Sequence, residues 1–262
     1  MIREIALAAG AAISLLPSAS ASSKSREADE ISSNAPGAVL LLGEIHGTNE
    51  VPAYTSSLIR TLTRQSHLVV GLELNDDSAG LPCESGKLRA RGKPVPASWS
   101  YALADGRSSV AMAKLVCQAK ELERKGLLSL VYLEGPGRDR DFDSKAAGYL
   151  DRVLKRYPNA RALVLTGNFH ALNNRPSMAW ALRNLGYAVT TTTVSSGDRK
   201  AAAWQCQRDG CGLKSLDAAL CPEHPGNSKS AWYPSQDPRW DKCVSFPHMT
   251  ASFPYDAPPP AK

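Results

Sequence analysis

The sequence lacks the signatures of several common enzyme classes. It has no G-x-S-x-G elbow, which disfavours a serine α/β-hydrolase. It has no H-E-x-x-H pair, no phosphate-binding loop and no G-x-G-x-x-G turn, so zincin, P-loop and dinucleotide chemistry lack their usual carriers. Its six cysteines (Cys83, Cys117, Cys206, Cys211, Cys221, Cys243) form no C-x-x-C pair, so a zinc knuckle is not indicated. No apolar run reaches the roughly 20 residues of a transmembrane helix. The formal charge is +6, but the basic residues (Arg60, Arg64, Lys120, Arg124, Lys155, Arg156) are scattered at helical spacing rather than gathered with aromatics. That is the pattern of solvated helix faces and does not point to nucleic acid as a partner.

What is present begins with an exported-protein signature. Arg3, the mostly apolar run Ile5 to Leu16, Pro17 and the small-residue site Ala19-Ser20-Ala21 predict a signal peptide over residues 1–21. No cysteine follows the run, so a lipid anchor is not indicated. A disordered linker is expected over 22–36, and a periplasmic or secreted location follows. An even cysteine count in an exported chain suggests disulfides, with fifteen connectivities open for six cysteines. Cys206 and Cys211 are placed to pair across a tight turn at Asp209-Gly210. Four of the six cysteines fall near the end, which predicts a Cys-rich extension over 199–250 and a disordered Pro-rich tail over 251–262.

Between these flanks, residues 37–198 alternate strand and helix. Apolar runs at 38–42, 68–72, 127–133 and 162–166 read as buried strands, and the β-branched run 187–194 reads as a fifth. Helical patterns over 49–65, 110–125, 144–156 and 177–185 separate them, with Ser108 or Ser109 as an N-cap. Residues 75–100 form a long irregular loop, which in a compact domain is usually functional or disordered. The alternation predicts an α/β fold: an open, mostly parallel sheet of about five strands flanked by helices, with a small Cys-rich C-terminal appendix.

Strands of a parallel sheet end on one edge, and ligands bind outside that edge. Four of these strands end in ionisable or polar residues: Glu44 and His46, Glu73, Glu134, and Asn168 and His170. Convergence of two histidines and several carboxylates supports acid–base chemistry, with a carboxylate orienting an imidazole and a second available as an acid. The same groups, His46, Glu73 and His170, are also suitable ligands for a divalent metal. Arg107, in Asp105-Gly106-Arg107, is a candidate clamp for an anionic substrate group.

Three segments carry a family resemblance. Gly43-Glu44-Ile45-His46-Gly47-Thr48-Asn49-Glu50, Val70-Gly71-Leu72-Glu73 and Thr166-Gly167-Asn168-Phe169-His170-Ala171 resemble, in order and spacing, the signatures of the erythromycin esterase / ChaN-like / Tiki superfamily. The likeness spans roughly 38–195 and leaves out the Cys-rich end. It implies Glu44, His46, Glu73 and His170 as catalytic residues, with His46 activating water beside Glu44 or Glu73. His170 and Asn168 then polarise the substrate carbonyl, and Glu50 points back to the site from the first helical turn. The charged run Arg138 to Asp143 resembles an Arg-Asp element of the esterases in loose register. The implied activity is hydrolysis of an ester or amide bond in a small molecule or peptide. Tiki-like relatives imply a divalent metal. ChaN-like relatives imply haem, for which Tyr54 and Tyr101 are the candidate ligands.

Overall fold

A computed structural model of the protein describes residues 36–89, 94–100, 105–134, 141–198, 200–207, 210–216, 221 and 230–255. The expected signal peptide, nearly all of the expected linker, Tyr101, Arg138 and residues 256–262 lie outside the described residues.

The five expected runs form strands: β1 (Val39–Glu44), β2 (Leu68–Asn75), β5 (Leu128–Glu134), β6 (Arg161–Gly167) and β7 (Val189–Ser196), of which β1, β2 and β6 are apolar and buried, β5 is half-buried and β7 is rich in threonine. Every residue of β1 and β6 is buried. They are parallel, with β1 between β6 and β7 and β2 between β6 and β5. Successive side chains of a strand point to opposite faces, and two separate cores result. Leu40, Leu42, Val70, Leu72, Leu163 and Leu165 pack with α1 (Glu50–Leu62) and α2 (Val110–Arg124). Val39, Leu41, Val69, Ala162 and Val164 pack with α3 (Phe142–Arg156) and α4 (Met178–Asn184). This is a three-layer α/β/α sandwich. Ser109 caps α2 by accepting a hydrogen bond from the Met112 N–H, and Ser177 caps α4 through Trp180.

The winding sets the position of the site. The chain runs β1, α1, β2, α2, β5 along one face, then returns by α3, β6, α4 and β7 on the other. The loops leaving β1 and β2 therefore turn to one face, while the loop leaving β6, the strand between them, turns to the opposite one. A crevice opens at such a switch point outside the carboxyl ends.

The sheet has seven strands rather than five, in the order β10-β11-β7-β1-β6-β2-β5. The Cys-rich region contributes β11 (Lys242–Phe246), parallel to β7, and β10 (Ala231–Pro234), antiparallel to β11. Short alternating segments such as Lys242-Cys243-Val244-Ser245-Phe246 find their apolar face only by joining an existing sheet, so their apolar periodicity is weak. Two hairpins stand apart. β3 (Cys83–Glu84) and β4 (Lys87–Leu88) lie inside the long loop, and β8 (Ala202–Gln207) pairs with β9 (Gly210–Ser215). Residues 251–255, placed by composition in a disordered tail, are instead packed: Ser252 and Tyr255 are buried.

All six cysteines pair, as Cys83–Cys117, Cys206–Cys211 and Cys221–Cys243. The second bridge closes the β8–β9 hairpin across the turn expected from sequence. No described helix is long and apolar enough to cross a membrane. The Cys83–Cys117 bridge ties the long loop to α2 across 34 residues. Replacing both with alanine is expected to cost roughly 3–4 kcal/mol, the loop-closure entropy of that span. Urea unfolding of the double variant against the parent measures it, and a loss near zero would show that other contacts already hold the loop.

Candidate active site

Each site residue is fixed by a strand end. Glu44 is the last residue of β1, buried at 3% exposure, and its Oε1 lies 2.8 Å from Nδ1 of His46. His170, past the end of β6, has its Nδ1 2.9 Å from Oδ1 of Asp143 on the first turn of α3. A carboxylate on Nδ1 fixes the tautomer of a neutral imidazole, leaving the Nε2 lone pair free for chemistry. Both Nε2 atoms lie 3.7 Å from one atom, Oε1 of Glu73 on β2. That is longer than a normal hydrogen bond, so the attraction is chiefly one of charge.

Glu73 is held from every side. Its Oε2 accepts from Thr166 Oγ1 at 2.7 Å and from the Gly167 amide at 2.6 Å. Its Oε1 accepts from Arg107 Nη1 at 3.0 Å. The same guanidinium contacts Glu134 at the end of β5 and grips Asp105 through Nε, at 3.0 and 2.9 Å. Gly167 leaves room for the His46 ring, since a Cβ there would sit 3.1 Å from His46 Nε2 and 3.5 Å from Glu73 Oε2. The loop carrying His46 turns at Gly47, whose φ of +82° suits glycine and whose added Cβ would fall 1.9 Å from the Trp204 carbonyl oxygen. The Gly47 carbonyl accepts from the Trp204 amide of β8 at 3.0 Å and from the Ser252 amide at 2.7 Å.

The electrostatics follow. Burial opposes the charged form of His46, but the charge and hydrogen bond of Glu44, with Glu73, outweigh it and push the pKa up to about 10. Burial likewise opposes the His170 imidazolium. The Asp143 hydrogen bond and Glu73 raise its pKa above the ordinary value, and the charge of His46 works against them. Burial alone would raise the Glu73 pKa, but His46, His170 and Arg107 hold it well below the usual carboxylate range. Glu134 goes the other way, pushed up by burial against the pull of Arg107, with repulsion from Glu73 and Asp105 adding to the rise.

Of the residues expected from sequence, Glu44, His46, Glu73, Glu134, Arg107 and His170 come together. Asn168 does not reach the imidazoles through its carbonyl. Its Oδ1 accepts from Thr193 Oγ1 at 3.0 Å, above Gly43, and its amide donates to the Glu44 carbonyl, so it braces β6 against β1 and β7. Glu50 points away from the site and holds the C-terminal segment through the Thr250 amide and hydroxyl. Arg107 is not an open anion clamp, since three carboxylates occupy its guanidinium. Asp143 was missed as a site residue. Its signal was a carboxylate in the first turn of the helix that follows a strand-end loop.

The described groups do not suit a divalent metal at the expected ligands. A metal bound by His46, Glu73 and His170 would compete with Arg107 for Glu73 Oε1, while Oε2 is already committed. Among the described residues no group of three or more His, Cys, Asp or Glu side chains is arranged to hold a metal ion. Tyr54 packs edge-on against Phe246 and takes a hydrogen bond from Trp232, so it is a core residue and not a free haem ligand.

No family model and no curated protein matches this sequence. Among solved structures, an erythromycin esterase mutant in its open conformation is similar, with a TM-score of 0.56 at 12% identity, covering 87% of this chain and 94% of that one. A Bacillus cereus protein aligns with a TM-score of 0.48 at 11% identity over 85% of this chain and 91% of that one. At such identities the likeness to the esterase is one of fold. The chain has an erythromycin esterase-like fold.

Because Glu73 raises both imidazole pKa values, Glu73→Gln is expected to lower the titration midpoints of His46 and His170 together, read from their imidazole C–H signals by NMR. The linkage has a definite sign. Glu73 has a native pKa below its ordinary 4.5, so its stabilising contribution is complete above that pH and lost as pH falls toward the native value. Glu73→Gln should therefore flatten the acid limb of the stability curve.

Proposed function

We propose that this protein is an exported hydrolase that cleaves an ester or amide bond by water activation between His46 and His170. One observation carries the reading: two imidazoles, each with a carboxylate on Nδ1, direct their Nε2 atoms to the same carboxylate oxygen at 3.7 Å. The esterase-like fold supports it at the level of architecture, and the three disulfides accord with export. A signal peptide over residues 1–21 and a linker ahead of the α/β domain belong to the same proposal.

The geometry favours an exchange of the roles expected from sequence. His46 lies between two carboxylates and keeps its proton over a wide pH range. His170 has one hydrogen-bonded carboxylate, is the more exposed of the two (30% against 21%), and feels the charge of His46. His170 is therefore the base, and His46 stays protonated as the hydrogen-bond donor. His170 Nε2 takes a proton from water, and the hydroxide attacks the carbonyl carbon. The His46 Nε2–H stabilises the oxyanion that forms. As the tetrahedral intermediate collapses, the His170 imidazolium returns its proton to the leaving oxygen or nitrogen. Glu73 keeps both imidazolium forms accessible, and Asp143 and Glu44 orient the rings.

Hydrolysis of p-nitrophenyl acetate and butyrate, corrected for the spontaneous rate, tests the reading. His170→Ala is expected to lose about 10²–10⁴-fold in kcat/KM, the usual value of a general base. The pH profile is expected to be a bell, rising as His170 loses its proton above the ordinary histidine value and falling as His46 does so near about 10. Glu44→Gln should move the falling limb to lower pH and leave the rising limb in place. Movement of the rising limb instead would return the base to His46.

A further inference from the structure

Past the end of β6 the chain turns through Gly167-Asn168-Phe169-His170, and the turn is closed by the His170 amide donating to the Gly167 carbonyl at 2.9 Å. Most of its residues are tied to the body of the protein. The Asn168 amide donates to the Glu44 carbonyl, and its side chain accepts from Thr193. The His170 ring is tied to Asp143, its carbonyl accepts from the Met178 amide, and Ala171 after it is fully buried. Phe169 lies between these anchors at 79% exposure, the highest of the described large apolar side chains.

A single apolar side chain at a surface usually needs no explanation. Phe169 differs in place and in fixity. Leu127, Tyr157 and Leu185, which are also exposed, precede β5, β6 and β7 at the edge opposite the site, whereas Phe169 sits at the carboxyl edge beside the base. The backbone on both sides of it is pinned, so drawing its ring into a core would pull Asn168 and His170 from their partners. A second ring reaches the same imidazole. Phe142, on the first turn of α3 and partly buried against the core, packs on His170 with 4.5 Å between centroids and 59° between planes. His170 thus has aromatic carbon next to it both along the chain and across the site.

When the tetrahedral intermediate collapses, the leaving group takes its proton from His170, which puts that part of the substrate on the Phe169 side. We infer that Phe169 is a specificity-determining residue that packs against the leaving group, and that the substrates are esters or amides of apolar alcohols or amines. Contact with an alkyl or aryl group takes apolar surface of both partners out of water. The inference rests on the hydrolase reading for the identity of the group as a leaving group, and not for the apolar contact.

The test uses two isomers, hexyl acetate and methyl heptanoate, each compared with methyl acetate. The first carries its alkyl chain on the leaving side and the second on the acyl side. Hexyl acetate is expected to exceed methyl acetate about 10-fold in kcat/KM, which is what burying roughly two methylene groups gives. In Phe169→Ser that ratio is expected to fall to about 1, with the methyl heptanoate ratio as in the parent, and Phe169→Leu is expected to keep most of the preference. A preference for hexyl acetate that is missing from the parent, survives Phe169→Ser, or is lost together with that for methyl heptanoate would overturn the assignment and leave the hydrolase standing. Binding is read apart from turnover, through the NMR shifts of the Phe169 ring protons on adding N-hexylacetamide or N-methylacetamide. Shifts with the hexyl compound alone, without turnover of any ester, would support the apolar contact and remove the hydrolase. Neither shifts nor turnover would overturn both.

Discussion

A buried carboxylate, Glu73, is the constraint around which the strand-end edge is arranged. A charge at 7% exposure is costly to remove from water unless it is paired and hydrogen-bonded. The structure meets that demand with two donors on one oxygen and a guanidinium on the other, and with two imidazoles at equal distance from the second oxygen. Each partner comes from a different strand end or loop: His46 after β1, Arg107 before α2, Thr166 and Gly167 from β6, His170 beyond it. Satisfying one buried anion therefore draws four parts of the chain to one point. The same anion adds to the rise that Glu44 and Asp143 give the two imidazole pKa values, so packing and chemistry are linked through one group.

The C-terminal region completes that arrangement from outside the alternating domain. The chain near its end lies across the starts of α1 and α2. Asn49 donates to Thr250 Oγ1 and the Ala251 carbonyl, the Val110 amide donates to Phe253, and the Tyr255 amide donates to Ser108. With the Gly47 carbonyl bonded to both Trp204 and Ser252, the loops that carry His46 and Arg107 are anchored by residues far away in the chain. The β8–β9 hairpin, stapled by Cys206–Cys211, holds the opposite side of Gly47. What composition marks as an appendix and tail is the support of the site.

Much of this was legible in the sequence. The five parallel strands and four helices follow from apolar runs, one β-branched run and helical periodicity, all of them local patterns. Glu44, His46, Glu73, Glu134 and His170 were legible as site candidates because polar residues ending buried strands share an edge whatever the strand order. Asp143 was less legible, since its place beside His170 depends on how α3 packs over β6. Glu50 misled for the opposite reason: a carboxylate on the first turn of α1 suits a helix N-terminus, but which neighbour it meets is decided by where the C-terminal segment runs. The two added strands are not legible because they gain their burial only by joining the sheet, β11 beside β7 and β10 beside β11.

The sequence by itself determined the layered α/β architecture, the Cys206–Cys211 pairing and the set of ionisable groups at the strand ends, because each rests on local periodicity or short chain separation. Tertiary structure decided which of those groups meet and in what state. The contribution of Glu73 to the proton held by His46, and the engagement of Arg107 by Glu73 and Glu134, depend on distances between residues far apart in the chain. Electrostatic energies vary with those distances and with burial, and neither can be read from the order of residues alone.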